Sequence, residues 1–226
     1  MADAKENAAK AAVGLVKDGM VLGLGSGSTA AIFIKLLGEK AKAGKMHILC
    51  VPTSEDSRAL ALENGLRIAG LDEVEKIDLA VDGADAVDEK MNLVKGGGGC
   101  HAREKVVAYA AKKFACIVDE GKVKKSLAGV PVPVEVLPFA CALVKKEIET
   151  GFGAKVSVRK GSGKMGPILT DNGNVILDAV FKDIAKPEVV EAGLQLIPGV
   201  VANGIFAVRK PDLLIVGRTG GAEIIG

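Results

Sequence analysis

The chain of 226 residues has room for one ordinary domain with a smaller appendage. With 49% apolar and 26% charged residues it is expected to be a soluble protein with a full core, and no run reaches the roughly 18 uninterrupted apolar residues of a membrane span. A formal net charge of +2 and an aromatic content of 3%, with no Trp, provide neither a basic face nor a stacking surface, so nucleic acid is not implied.

Residues 3–18 place Ala and apolar positions at helical spacing, and Asp18-Gly19 ends the pattern. This N-terminus carries mixed charge rather than the basic start and apolar centre of a secretion signal, so a cytoplasmic location is expected. "MVLGLG" reads as a buried strand, "STAAIFIKLLGEKAKAG" as a helix ending at Gly44, and "MHILCVPTS" as a second strand. "SEDSRALALENG" opens with a serine N-cap and acids in its first turn. "LRIAGLDEV" reads as a short strand, "IDLAVDGAD" as a strand entering a loop, "EKVVAYAAKKF" as a helix and "ACIVDEG" as a strand with an acidic end. Strands alternating with helices predict a parallel sheet covered on both faces, with ligands beyond the carboxyl ends of its strands.

The pattern changes near Pro131. "VPVPVEVLP" is a proline-punctuated strand, followed by a helix over about 138–150 and three strand-like runs, "AKVSVRK", "PILTDNG" and "NVILDAVF". A helix opening at Pro187 and "GVVANGIFAV" complete an α+β pattern, and "DLLIVGR" returns to the buried-strand type. Residues 160–174 read as hairpin and turn chemistry, with "NG" as a turn signal. The expected organisation is a main α/β domain, 1–130 plus 207–226, with residues 131–206 as a smaller α+β domain.

Three loops carry chemistry. "GLGSGSTA" lacks the lysine of a nucleoside-triphosphate loop. Gly25, Gly27 and Ala30 satisfy the dinucleotide pattern, but the second strand ends in Val51-Pro52-Thr53 without the acid that would hold a ribose. What remains is a turn of small residues at a helix start, whose amides, dipole and hydroxyls at Ser26, Ser28 and Thr29 suit a compact phosphomonoester. "VDGAD" ends a strand with Asp82 and Asp85 around Gly83 and Ala84; the pair suits a metal, a polyol, a shared proton or a simple turn. "KGGGGCHAREK" sets Lys95 before four glycines and Glu104 in the first helical turn after them. Four consecutive glycines lose much entropy on ordering, and they bring backbone amides close to a ligand or permit positive φ. A carboxylate that moves a proton and a cation that stabilises an enediolate suit chemistry next to a carbonyl. "DEGKVKK" adds Lys122 as an anion ligand or a solvated turn residue. Cys50, Cys100, Cys116 and Cys141 show no CxxC spacing and form no zinc set with His47 and His101, so reduced thiols are expected.

"GLGSGSTA", "DGAD", "KGGGG...REK", "PVEVLP", "TDNGNVILD" and "IPGVVANGIF" occur in this order, and together they resemble ribose-5-phosphate isomerases of the A type over nearly the whole chain. The resemblance implies a Rossmann-like main domain with an inserted smaller, ferredoxin-like domain. It implies an aldose–ketose isomerase of the pentose phosphate pathway, working through an enediol without metal or organic cofactor. Glu104 corresponds to the base. Asp82, Asp85 and Lys95 correspond to the polar residues around the sugar hydroxyls and carbonyl. Ser26, Gly27, Ser28 and Thr29 match the first ligand loop, Gly83 and Ala84 lie in the second, Gly96, Gly97 and Gly98 match the glycine loop, and Lys122 the later basic residue. The family's partners are a small sugar phosphate and a second copy of the chain, in dimers or tetramers; nucleic acid and membrane are not among them. Ser26 stands where threonine is usual, Ala86 where an acid is common, and Cys100-His101-Ala102 where apolar residues are common. A sugar-phosphate sensor without catalysis, an isomerase or deaminase for another sugar phosphate, and a nicotinamide-dependent dehydrogenase are the competing readings.

Overall fold

The computed structural model describes residues 2–161, 163 and 165–226, so Ser162 and Lys164 of the turn-rich stretch lie outside the described residues. In chain order the elements are α1 (Ala2–Gly14), β1 (Val21–Leu24), α2 (Ser28–Gly44), β2 (Leu49–Pro52), α3 (Glu55–Glu63), β3 (Arg67–Ile68), β4 (Ile77–Asp82), β5 (Ala86–Val87) and β6 (Leu93–Val94). Then come α4 (His101–Ala110), β7 (Ala111–Asp119), β8 (Pro131–Val136), α5 (Cys141–Phe152), β9 (Lys155–Val158), β10 (Val175–Val180), α6 (Pro187–Gln195), β11 (Val200–Asn203), β12 (Ile205–Phe206), β13 (Leu213–Arg218) and β14 (Gly221–Ile225). The chain divides into two units, Met1–Ala84 with Arg103–Val123 and Pro211–Gly226, and Asp85–Ala102 with Lys124–Lys210.

The first unit holds a seven-stranded sheet in the order β14-β13-β7-β4-β1-β2-β3, parallel except for the β13–β14 hairpin. The chain winds outward from β1 through β2 and β3, then resumes on the other side with β4, β7 and β13. This is the doubly wound order, and its switch point lies between β1 and β4. The central strands are apolar nearly throughout because both faces are covered. Leu22, Leu24, Leu79, Val81, Ile117 and Ile215 of the sheet are buried with Phe33, Ile34 and Leu37 of α2.

Helix α1 stops at Gly14, four residues short of the expected end, and Asp18 Oδ1 instead accepts the His47 backbone N–H at 2.5 Å. The short strand expected over "LRIAGLDEV" is two residues long and leads to a 3₁₀ turn at Leu71–Glu73. Strand β7 begins at Ala111, within the expected helix: Lys112 and Lys113 favour helix, but residues 111–116 pair with β4, and Asp212 holds Phe114 by both backbone groups. Tertiary pairing outweighs local propensity there. Helix α3 is capped as expected by Ser54, whose Oγ accepts the Ser57 N–H at 3.0 Å.

In the second unit β8, α5, β9, β10, α6 and β11 form a split βαβ repeat with the antiparallel strand order β11-β8-β10-β9. Val132, Val134 and Val136 of β8 are buried with Val144 and Ile148 of α5, Leu177 and Ala179 of β10, and Leu194 of α6. A small sheet, β12-β6-β5, belongs to the same unit. The division therefore falls elsewhere than the expected boundaries at 131 and 206. Residues 85–102 enter the second unit because β6 pairs with β12, and residues from 124 enter it because Lys124 N donates to Val87 O. "PILTDNG" forms isolated bridges, Lys160↔Pro167 and Leu169↔Val175, rather than a strand. Thr170 and Asn172 of this stretch, with Asn174 just after it, turn to the buried Glu135 of β8, whose Oε1 accepts from Thr170 Oγ1, Asn172 Nδ2 and Asn174 Nδ2 at 2.9, 3.0 and 2.8 Å.

Candidate active site

In the first unit the loop after β1 and the loop after β4 meet at the switch point. Gly25 N donates to Val81 O at 2.9 Å, and the buried Asp82 takes the N–H groups of Ser26 and Gly83 on its Oδ1 at 3.1 and 2.7 Å. A Cβ on Gly25 would collide with the Asp82 carboxylate, so a close approach requires this glycine. The Ser26 hydroxyl turns to the loop after β2: it donates to Ser54 Oγ at 2.7 Å and lies 2.9 Å from Thr53 Oγ1. Two hydroxyl residues, Thr53 and Ser54, thus occupy the region beyond β2 where a dinucleotide site would keep its ribose acid.

Gly27, at φ 96°, precedes α2 without a capping side chain, so the first-turn amides of this 17-residue helix are not served by a cap. Ser28 opens the helix, and its Oγ accepts Lys5 Nζ at 2.9 Å; Thr29 is buried behind it. An ammonium, two hydroxyl residues and a helix N-terminus make a corner whose chemistry suits an anion. Lys5 escapes sequence reasoning because only the packing of α1 on α2 brings it there.

Helix α4 leads directly into β7, and Ala111 pairs with Ile77 at the amino edge of the sheet. Val107 lies against Gly23, near the carboxyl end of β1, where a Cβ would run into its side chain. The helix therefore descends from the carboxyl edge, and Glu104, one turn before Val107 on the same side, stands at that edge. Glu104 is 5% exposed. Its neighbour Arg103 donates to Glu55 Oε1 at 3.0 Å. At the end of β7 the buried Asp119 caps a 3₁₀ turn through Gly121 N, and the half-buried Lys122 closes that turn.

In the second unit Asp85, half-buried, accepts the Gly97 N–H on Oδ2 at 2.7 Å. Lys95 is 2% exposed; its backbone N–H donates to Gly204 O at 2.8 Å and its Nζ lies 5.6 Å from the Phe206 ring centroid, a cation–π placement. The glycines have separate reasons to lack a Cβ. One at Gly96, where φ is 97°, would stand 2.6 Å from His101 Nδ1, and one at Gly97 would stand 2.7 Å from Asp85 Oδ1. Gly98 faces open space. His101, fully buried, is thus the floor of the glycine loop. A further residue without sequence signal is Arg159, whose Nη1 donates to the carbonyls of Gly96 and Gly97 at 2.9 Å each.

Asp82 and Asp85 fall on either side of the point, after Ala84, where the chain passes from the first unit to the second. Among the described residues no group of three His, Cys, Asp or Glu side chains is placed to hold a metal ion. All four cysteines are free, and burial pushes the Cys50 thiol up to about 12.

Residues 49–221 match the family model of ribose 5-phosphate isomerase A (phosphoriboisomerase A). The chain is 49% identical over 226 residues to a ribose-5-phosphate isomerase A from Methanococcus aeolicus, covering 99% of this chain and 95% of the relative. It is 49% identical over 223 residues to one from Archaeoglobus fulgidus, covering 98% of each. Among solved structures, ribose 5-phosphate isomerase A from Methanocaldococcus jannaschii superposes with a TM-score of 0.95 at 43% identity, covering 99% and 98% of the two chains. A D-ribose-5-phosphate isomerase in complex with phospho-erythronic acid superposes with a TM-score of 0.96 at 47% identity and the same coverage. Six motifs in order, a doubly wound sheet with a split βαβ unit, and near full-length identity agree: the chain belongs to the ribose 5-phosphate isomerase A family.

Proposed function

We propose that the protein interconverts D-ribose 5-phosphate and D-ribulose 5-phosphate through an enediol(ate), with Glu104 as the base. The observation that carries the roles is the buried Glu104 carboxylate in the first turn of α4, at the sheet edge where Asp82 and the α2 N-terminus also stand. Glu104 removes the proton from C2 of the open-chain aldose, and the electrons pass to the C1 carbonyl oxygen. The acid so formed returns the proton to C1, while the O2 proton passes to O1, so that a C2 carbonyl and a C1 hydroxyl result. One carboxylate thus takes and returns the proton, and a positioned base of this kind contributes about 10²–10⁴-fold. Lys95 and the amides of Gly96 and Gly98 stabilise the charge that builds on oxygen, while the Gly97 amide, bound to Asp85, fixes the loop between them. Asp82, with Gly83 and Ala84 in its turn, and Asp85 bind sugar hydroxyls. The corner formed by Ser26, Gly27, Ser28, Thr29 and Lys5 takes the phosphate, and Lys122 supplies a further cation.

A phosphorylated sugar acid bound to a 47%-identical relative supports a sugar phosphate as ligand. A sensor without catalysis has no use for a buried carboxylate at the helix start, and a dinucleotide would meet Thr53 and Ser54 where it needs an acid. The reading needs no metal or organic cofactor. Self-association, as a homodimer or a tetramer, belongs to the same reading and is supported by apolar side chains left in the open on the second unit, with Phe139 fully and Leu196 largely exposed. Four free thiols fit the reducing cytoplasm. No helix among the described residues is long and apolar enough to cross a membrane.

Incubating the purified protein with ribose 5-phosphate and measuring ketose tests the activity. Ketose should form, and free ribose should be converted far more slowly. Absence of ketose overturns the reading.

A further inference from the structure

We infer that Arg159, anchored by Asp178, is a positioning residue that sets the orientation of the glycine loop beside Lys95. The inference rests on the isomerase reading for its kinetic consequence, but its geometry lies wholly within the second unit. Arg159 follows β9, and its backbone N–H donates to Ile176 O at 2.8 Å. Its Nε donates to Asp178 Oδ2 at 2.9 Å and its Nη2 to Asp178 Oδ1, a two-pronged pairing on the neighbouring strand β10. Both side chains are largely buried, at 15% and 21% exposure. The fork is thereby fixed, and the remaining nitrogen, Nη1, receives two successive carbonyls, those of Gly96 and Gly97.

Two carbonyls on one nitrogen point to the same side. In a trans peptide the C=O and the following N–H point in opposite directions, and the chain has no cis peptide. The N–H groups of Gly97 and Gly98 therefore point away from Arg159. The first meets Asp85 at 2.7 Å, which marks that side as the one Asp85 occupies. Successive amides turned to one side make a concavity that favours negative charge. The Gly96–Gly97 peptide is held also by the Gly99 N–H, which donates to the Gly96 carbonyl at 2.9 Å, and by Asp85; without the guanidinium it is the Gly97–Gly98 peptide, between two glycines, that can flip. A flipped peptide would present a carbonyl oxygen where the reaction needs donors. Lysine cannot replace the arginine, because an ammonium lacks the planar fork that holds a carboxylate and two carbonyls together.

The test uses Arg159→Ala and Arg159→Lys in the full chain, with Asp178→Asn as a second handle. In folded Arg159→Ala, kcat should fall about 10²-fold, the scale of a lost oxyanion donor. Inhibition by inorganic phosphate should change by less than about threefold, because its ligands lie in the first unit. Guanidinium ion added to Arg159→Ala should restore part of kcat, ammonium should not, and Arg159→Lys should remain slow. A kcat within about threefold of wild type, or a loss shared equally by phosphate affinity and untouched by guanidinium, would overturn the inference. Should Arg159→Ala not fold, Asp178→Asn carries the kinetic test: about a tenfold fall in kcat is expected, and a normal kcat would contradict it. Amide hydrogen exchange gives a readout independent of turnover. Exchange over residues 95–100 should quicken in the folded variant while β8 and β10 keep their protection, and unchanged exchange there would overturn the inference even if the wild type proved not to be an isomerase.

Discussion

The Asp82 carboxylate receives the backbone N–H of Ser26 at 3.1 Å, which ties the loop after β1 to the end of β4 across the switch point of the sheet. Gly25 permits this approach, since a Cβ there would also come within 2.5 Å of the Asp82 Cα. Gly25→Ala should therefore destabilise the fold by about 1–3 kcal/mol through overpacking, and kcat/KM should fall with it. Urea unfolding and initial rates on the same preparation check this. Wild-type stability would mean that the two loops can separate without consequence.

Lys5 donates to Ser28 Oγ at 2.9 Å in the corner assigned to phosphate. Hydrogen bonds to charged groups contribute about 1.5–3 kcal/mol, and the half-buried position of Lys5 places it at the lower end of that range. Lys5→Ala should raise KM for ribose 5-phosphate and weaken inhibition by inorganic phosphate about tenfold, with a smaller change in kcat. Unchanged phosphate inhibition would remove Lys5 from the site.

Much of this architecture is readable in the sequence because it is carried by local signals. Strands β1, β4 and β13 are apolar runs bounded by turn residues, and Ser54 announces α3 by its cap. The glycine run stands out by composition alone. What each glycine does is not local: Gly96 answers to His101 and Gly97 to Asp85, neighbours that the fold supplies. Lys5 and Arg159 are long side chains whose roles depend on what they reach, and no spacing encodes that. Strand β14 is short and mostly exposed, so "GAEII" lacks the burial pattern that marks its neighbours. "PILTDNG" has strand-like residues, but its Thr and Asn side chains serve the buried Glu135 instead of a ladder.

Asp78 accepts the Val21 N–H at 3.0 Å at the start of β4. That bond holds its carboxyl below the usual range, against the opposing effect of burial and with help from Lys76 and Lys112. The folded protein thus binds this proton less readily than the unfolded chain. The stabilisation is full above the unfolded value of about 3.9 and is lost as pH falls through the lower folded value. Asp78→Asn should be less stable than wild type at neutral pH, with the difference narrowing under acid conditions. Denaturant titrations at neutral pH and near pH 3 check the sign. A difference that stayed constant or widened in acid would contradict it.

The proton transfer assigned to Glu104 routes no step through a metal. Activity should survive exhaustive chelation. Loss with a chelator and recovery with a divalent cation would show that the charge on oxygen is stabilised by a metal rather than by Lys95 and the glycine-loop amides.

The central claim is that Glu104 moves the proton, and Glu104→Gln tests it most directly. Glutamine keeps the size and the hydrogen bonds of the side chain but cannot accept the proton. On the folded variant kcat should fall by at least about 10²–10⁴-fold, while affinity for inorganic phosphate or a phosphorylated sugar acid should change by less than about tenfold. If Glu104 only supports the start of α4, the variant will lose a little stability and keep kcat within about tenfold of wild type, and that result would contradict the account.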